Sequence, residues 1–305
     1  MANITASMVK ELREKTGAGM MDAKKALTAA DGDVEAAMED LRKKGMAKAD
    51  KKSSRTAAEG LVAVVTDGKK GAVIELNSET DFVSRNEGFQ DFVESVAKNA
   101  LEVNNVEELA ASDVNGKPVN EALTDLVAKI GENMALRRMQ KLEVSNGAVV
   151  SYVHGALKEG LGKIGVLVAF ESDADQDVLE GLGKQIAMHV AAAFPKCLDR
   201  DSVDQAEMEK ERQFLIDQAK GEGKPQEIAE KMVEGRMRKY YEEICLLDQK
   251  FVIDGETRIA DVVANAAKEA GAEIKLVDYA RFQLGDGIEK EVEDFAAEVG
   301  KVANA

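Results

Sequence analysis

Tryptophan is missing from this chain, and aromatic residues of all kinds make up 4% of its 305 residues. A core without large rings must be filled by Ala, Val, Leu and Met, which favours helices. Cysteine and histidine are nearly absent, with two of each. Cys197, Cys245, His154 and His189 show no metal-ligand spacing, so no zinc site is expected, although carboxylates alone could hold Mg²⁺ or Ca²⁺. The two cysteines suit buried thiols in a reducing compartment. No apolar run reaches the roughly 18 residues of a membrane span. The start, Met1-Ala2-Asn3-Ile4-Thr5, lacks the charged and then apolar pattern of a secretory signal. A soluble, cytoplasmic protein without a cofactor is expected.

Positive charge is also in short supply. Against 57 Asp and Glu stand 41 Lys and Arg, a formal net charge of −16. That balance argues against nucleic acid as the main partner and against an anionic membrane surface. It leaves open steering toward a basic patch on another protein. Hydrophobic residues at 45% suffice for a sizeable core.

Residues 1–45 read as three short helices. Thr5 caps the first, with Met8, Val9 and Leu12 on its apolar face. Met20 and Met21 open the second. Asp33 caps the third, with Val34, Met38 and Leu41 inward and Gly45 as its stop. So thin a core suits a docking module better than an enzyme. The stretch Gly17-Ala18-Gly19-Met20-Met21 is its expected contact surface, because Met adapts to irregular partners; the alternative places Met20 and Met21 in the core. Residues 46–59 read as a basic linker or a frayed helix end, since Arg42 to Arg55 holds seven basic residues against one acid, Asp50.

Beyond it the pattern becomes α+β. Leu61 to Val65 and Ala72 to Leu76 flank an Asp67-Gly68 hairpin turn. A helix follows over 86–99, another over about 119–130, and a third strand over 136–144. The order then recurs, with strands over 148–153 and 164–170, a helix over about 177–193, and a last strand over 274–284. Two related α+β subdomains with antiparallel sheets are expected, over 60–145 and 146–286. The second carries a helical-hairpin insertion over 201–241, with a seam of Phe214, Leu215, Ala219, Ile228, Met232 and Met237. A helical module over 287–305 closes the chain, with Val292, Phe295, Ala296, Val299 and Val302 on one face.

The most informative segment is Ser78-Glu79-Thr80-Asp81-Phe82-Val83, at a strand-to-helix corner. A turn wants Gly, Asn or Pro rather than Phe. Two readings stand. Phe82 could fold back as a core plug with Asp81 capping the next helix, or both could be pushed into a partner. An enzyme reading has less to build on. His189 lies in an apolar helix and suits the core edge. His154 ends a strand before a glycine-rich loop, with no identifiable nucleophile beside it. No phosphate-loop or dinucleotide fingerprint is present.

Several segments resemble the bacterial elongation factor Ts family. They are Ile4 to Leu27, Thr80-Asp81-Phe82-Val83, Ile186 to Ala192, Pro225 to Gly235, Arg281-Phe282, Gly287 to Lys290 and Asp294 to Glu298. The resemblance spans the chain. It implies a nucleotide exchange factor, not an enzyme, whose partner is the GTPase elongation factor Tu. It implies that the N-terminal module is similar to ubiquitin-associated (UBA) three-helix domains and docks on the partner's nucleotide domain. Thr80, Asp81, Phe82 and Val83 would then be the partner-binding motif, with Phe82 a wedge and Asp81 disturbing the Mg²⁺ environment. A partner contact by His154 is also implied, but the segment from Gly155 to Lys163 is longer than the family's tight turn. A UBA-like adaptor for another protein and a divergent enzyme using His154 are the alternatives. The helical hairpin is a candidate surface for pairing two copies.

Overall fold

The computed structural model describes residues 4–222 and 226–289. The chain opens with α1 (Ala6–Thr16), α2 (Met20–Ala29) and α3 (Val34–Lys52). The Thr5 hydroxyl accepts the Met8 N–H, and Asp33 accepts those of Glu35 and Ala36, so both helices start where the sequence places a cap. Val9, Leu12, Ala23, Ala26, Leu27 and Ala37 form the small core between them.

Next come β1 (Glu59–Asp67), β2 (Lys70–Ser78), the one-turn helix α4 (Asp81–Ser84), α5 (Glu87–Asn99) and α6 (Val106–Ala111). A short ladder of β3 (Asp113–Val114) and β4 (Lys117–Pro118) leads to α7 (Val119–Ile130) and β5 (Met134–Glu143). The second half runs through β6 (Gly147–His154), β7 (Leu161–Gly162), β8 (Ile164–Ser172), α8 (Gln176–Ala193), α9 (Gln205–Gly221), α10 (Gln226–Ile244), α11 (Ile259–Ala270) and β9 (Ile274–Gln283). The fold is α+β.

Two expectations at the first junction are corrected. Gly45 does not stop α3, and the basic run expected as a linker or a frayed helix end continues the helix as far as Lys52. Residues 46–52 contain neither Pro nor Gly, and their other side also finds a partner. A Cβ on Gly45 would come within 3.1 Å of the Ala128 Cβ, so glycine lets α3 lie close on α7. Ala49 packs on the core below, Arg42 pairs with Glu121, and the Lys52 ammonium donates to the Gly131 carbonyl.

The two main sheets are antiparallel, in the orders β5-β2-β1-β7 and β6-β8-β9. In each half a hairpin is followed by a helix, and the returning strand pairs with the hairpin's second strand. The ladders match in detail. β2 against β5 shifts register between Glu75 and Leu76, and β8 against β9 shifts between Ala169 and Phe170. Glu75 therefore corresponds to Ala169, Arg137 to Val277 and Arg138 to Asp278. The returning strands follow helices of twelve residues, α7 and α11, ended by Gly131 and Gly271 in the left-handed conformation.

Each sheet has one helical face and one face against the other sheet. Leu61, Ala63, Ile74 and Leu76 meet Phe89, Phe92, Val93 and Val96 of α5, which recur at helical spacing. Val150, Val166, Val168 and Phe170 meet α8 and α11. Between the sheets lie Val62, Val64 and Val73 from one, and Val149, Leu167, Ala280 and Phe282 from the other. The halves are thus stacked as helix, sheet, sheet, helix. They are also interlaced. After His154 the chain turns back, and Leu161 and Gly162 of β7 pair with Ala63 and Val62 of β1. The long segment that departs from a tight turn therefore completes the first half's sheet.

α9 and α10 form the inserted hairpin. Its seam differs from the expected one: Leu215, Ala219, Val233 and Met237 are buried, Met232 is half-buried, and Phe214 and Ile228 are exposed. A two-helix arm buries one narrow stripe per helix, and Phe214 sits about 100° round from Leu215. At the arm's root the free thiols of Cys197 and Cys245 lie 3.5 Å apart. Burial pushes both thiols up, Cys245 to about 12. Residues 223–225 of the expected turn and 290–305 of the expected C-terminal helix lie outside the described residues.

Candidate functional site

The corner between β2 and α5 is built from its backbone outward. Val83 is buried against the core of the first half, where it supplies the local plug that Phe82 does not. Phe82, its neighbour on the one-turn helix α4, is 75% exposed. Asp81 is exposed beside it and pairs loosely with Arg85 at 3.7 Å. Asp81 does not cap the following helix; the Asn86 side chain does, accepting the Phe89 N–H at 3.1 Å. The Ser84 hydroxyl donates to the Asp81 carbonyl, and the Gln90 amide donates to the Ser84 carbonyl at 2.8 Å. These bonds close the short helix with Phe82 facing solvent.

Residues distant in sequence hold the corner's near side. The Glu132 carboxylate accepts the Thr80 N–H at 2.9 Å and the Thr80 hydroxyl at 2.8 Å. Glu79 accepts the Asn133 N–H at 2.5 Å and pairs with Arg55 at 3.3 Å. The parts played by Glu132, Asn133 and Arg55 escape a reading of the sequence, because their contacts with Glu79 and Thr80 span 24 to 54 positions. The available signal was local: Gly131 ends a helix just before a strand, so Glu132 and Asn133 had to lie in a tight turn.

The remaining candidates sit on other elements. Met20 and Met21 open α2 and are 60% and 64% exposed, outside the module's core. His154 is exposed at the end of β6, its Nδ1 3.3 Å from the Tyr152 hydroxyl. His189 is wholly buried rather than at the core edge. Its Nε2 lies 2.9 Å from the Gln249 side-chain amide oxygen, and its Nδ1 accepts the Val252 N–H. Among the described residues no group of three or more His, Cys, Asp or Glu is placed to hold a metal ion, and no helix is long and apolar enough to cross a membrane.

The corner holds a ring and a carboxylate out into solvent on a hydrogen-bonded frame, an arrangement suited to contact with another molecule. Comparison with known proteins gives the family. Residues 79–286 match the family model described as Elongation factor TS. Over 306 aligned positions the chain is 58% identical to Elongation factor Ts of Rhodospirillum centenum, covering 99% of this chain and all of that protein. It is 59% identical to Elongation factor Ts of Paramagnetospirillum magneticum, covering 99% and 98% of the two chains. The chain belongs to the elongation factor Ts family: it is a translation elongation factor, a guanine nucleotide exchange factor rather than an enzyme.

Proposed function

We propose that this protein binds the GDP form of elongation factor Tu and speeds GDP release by inserting Phe82 and Asp81 beside the nucleotide. One observation carries the reading: Phe82 is 75% exposed on a corner whose every neighbouring turn is hydrogen-bonded. A large ring held out in water is ready to be buried in a partner, and its orientation is fixed in advance, which lowers the entropic cost of docking. Thr80 and Val83 hold the corner. Phe82 wedges into the partner, and Asp81 disturbs the partner's Mg²⁺, an ion that demands near-ideal octahedral geometry. Coupling is reciprocal, so a protein that weakens GDP binding is itself weakened by GDP, and incoming GTP displaces it.

The N-terminal module adds a second contact through Met20 and Met21, and His154 a third. The protein acts in the cytoplasm without contacting nucleic acid directly. Exposed Phe214 and Ile228 give the arm an apolar surface for a second copy of the chain, which light scattering of the isolated protein tests.

The central test is release of fluorescent GDP from elongation factor Tu with Phe82→Ala. Loss of a buried interface aromatic costs about 2 kcal/mol, a rate loss of roughly 30-fold if the ring acts in the exchange transition state. Melting temperature should stay unchanged. Normal exchange with a lowered melting temperature would make Phe82 a structural residue instead. Absence of any acceleration by the unaltered protein would favour the adaptor reading, and turnover of a small molecule without the partner the enzymatic one.

A further inference from the structure

Given the proposed entry of Phe82 into the partner, we infer that Glu132 is a positioning residue for that ring, and that the turn 131–133 is the bracket tying the corner to the end of α3. Thr80 stands immediately before Asp81 as the N-cap of α4, in extended conformation, and its own side chain caps nothing. Both of its donors go instead to the Glu132 carboxylate, at 2.9 and 2.8 Å. A carboxylate receiving two bonds from one residue is short, directional and charge-assisted. It sets where the backbone enters α4, and so where Phe82 points.

The same turn reaches the other way. The Gly131 carbonyl accepts from Lys52 at the last residue of α3. The Asn133 side chain donates to the Arg55 carbonyl at 2.7 Å and to that of Ser53 at 3.4 Å, while its N–H donates to Glu79. Three consecutive residues thus join the helix that leads from the N-terminal module to the start of the corner. The direction of Phe82 is fixed relative to that module.

The second half supplies an internal control. Its turn keeps the left-handed glycine, Gly271, and its strand keeps the serine, Ser172, that matches Ser78. Yet Thr80 corresponds to Ala174, and Glu132 to Ala272. The fold forms there without the pair. The second half braces the same two turns through Ser172, whose hydroxyl accepts the Ala174 N–H at 2.9 Å and donates to the Glu273 carbonyl at 2.6 Å. The turn therefore needs no carboxylate, and the carboxylate brace is confined to the half that displays a phenylalanine, which assigns it to aiming the ring.

The test compares Glu132→Ala, Thr80→Ala, their double variant and Glu132→Gln in catalysed GDP release from elongation factor Tu. Glu132→Ala should lower the maximal rate about tenfold, the scale of one lost charged hydrogen bond. The concentration of partner needed for half-maximal rate should stay within about twofold, because docking through α2 is untouched. The double variant recreates the second half's alanine pair and should be no slower than either single one. In a Phe82→Ala background, Glu132→Ala should add nothing. Glu132→Gln keeps the length and one acceptor and should fall between, and it decides the matter should Glu132→Ala fold poorly. A full-rate Glu132→Ala beside a slow Phe82→Ala would overturn the role of Glu132 alone. Additive losses in the Phe82→Ala background, or losses that track melting temperature, would overturn it too. Phe82→Ala at the unaltered rate would remove the wedge itself.

Discussion

At the ends of β2 and β8 the chain turns the same corner from strand into helix, and solves it twice. In the second half the sequence Ser172-Asp173-Ala174-Asp175-Gln176 leads directly into α8, and the Gln176 amide folds back to donate to the Gly147 carbonyl at 3.1 Å. In the first half Ser78-Glu79-Thr80-Asp81-Phe82 enters a helix of four residues, which breaks at Arg85 and Asn86 before α5 begins. Beside the break Phe82 stands free in solvent, where its counterpart Gln176, also exposed, is tied back to β6 by its amide. One topology therefore yields a structural corner and a binding corner. What separates them is a premature helix end and a carboxylate bracket where the second corner uses the Ser172 hydroxyl, not a different fold.

The halves differ again at their matching bulges. The first buries Glu75, which accepts from Arg137 at 3.1 Å, Arg138 at 2.6 Å, Asn77 at 2.9 Å and the Gly285 N–H at 2.8 Å. The second has Ala169. Glu75→Ala, which makes the two bulges alike, should be the most destabilising change considered, by about 3 kcal/mol or more, because it strands two arginines and a backbone donor. Urea unfolding measures this, and a loss under about 1 kcal/mol would mean the pairs behave as surface ones.

The next effect tests sameness rather than difference. Gly60 and Gly147 open matching positions of β1 and β6 with φ of 117° and 133°. A Cβ there would lie 2.3 Å from the Leu76 carbonyl oxygen and 2.0 Å from that of Phe170. Alanine at either should cost about 2 kcal/mol, nearly equally. A large inequality in melting temperature would break the correspondence of the two ladders.

A smaller loss is expected from Gln176→Ala, about 1 kcal/mol of stability for one hydrogen bond. GDP release should be unchanged, in contrast to Phe82→Ala.

The smallest effect near neutral pH is a difference in titration. Burial lowers the His189 imidazole below its ordinary 6.5, against the opposing bond to Gln249. The unfolded chain then binds that proton more readily, so stability from neutral His189 is present above about 6.5 and is lost as pH falls below it. For Glu75, burial acts upward, but bonds from Asn77, Gly285 and Arg138 outweigh it and hold the carboxyl below its ordinary 4.5. Its contribution is present above that value and is lost as pH falls through the lower, folded one. Acid should loosen the second half first. Melting temperature should slope downward between about pH 7.5 and 5.5, and His189→Gln should flatten the slope.

Much of this fold was legible because its signals are local. Caps at Thr5 and Asp33, the Asp67-Gly68 turn and the spacing of Phe89, Phe92, Val93 and Val96 all act within a few residues. α11 went unread although its apolar face is as sharply marked as that of α5: Ile259, Val262, Val263, Ala266 and Ala267 recur at helical spacing and pack on the second half's core. Gly45 misled because glycine marks a helix end and a close helix crossing alike, and only the approach of Ala128 tells them apart. At the corner, the types Asp81 and Phe82 drew attention, but their outward direction depends on Val83 taking the core position. The hold of Glu132 on Thr80 is a tertiary contact with no periodicity to betray it.

The interlacing of β7 with β1 matters while the chain is still being made. β1 emerges from the ribosome some ninety residues before Leu161 and Gly162, the pair that covers its edge. At roughly 5–20 residues per second, that edge stays open for about 5–20 s. During this interval a nascent chain exposes a row of free N–H and C=O groups to its neighbours on a polysome. The helical module ahead of it, already complete, keeps a charged and soluble body on the growing chain until the second half arrives to close the sheet.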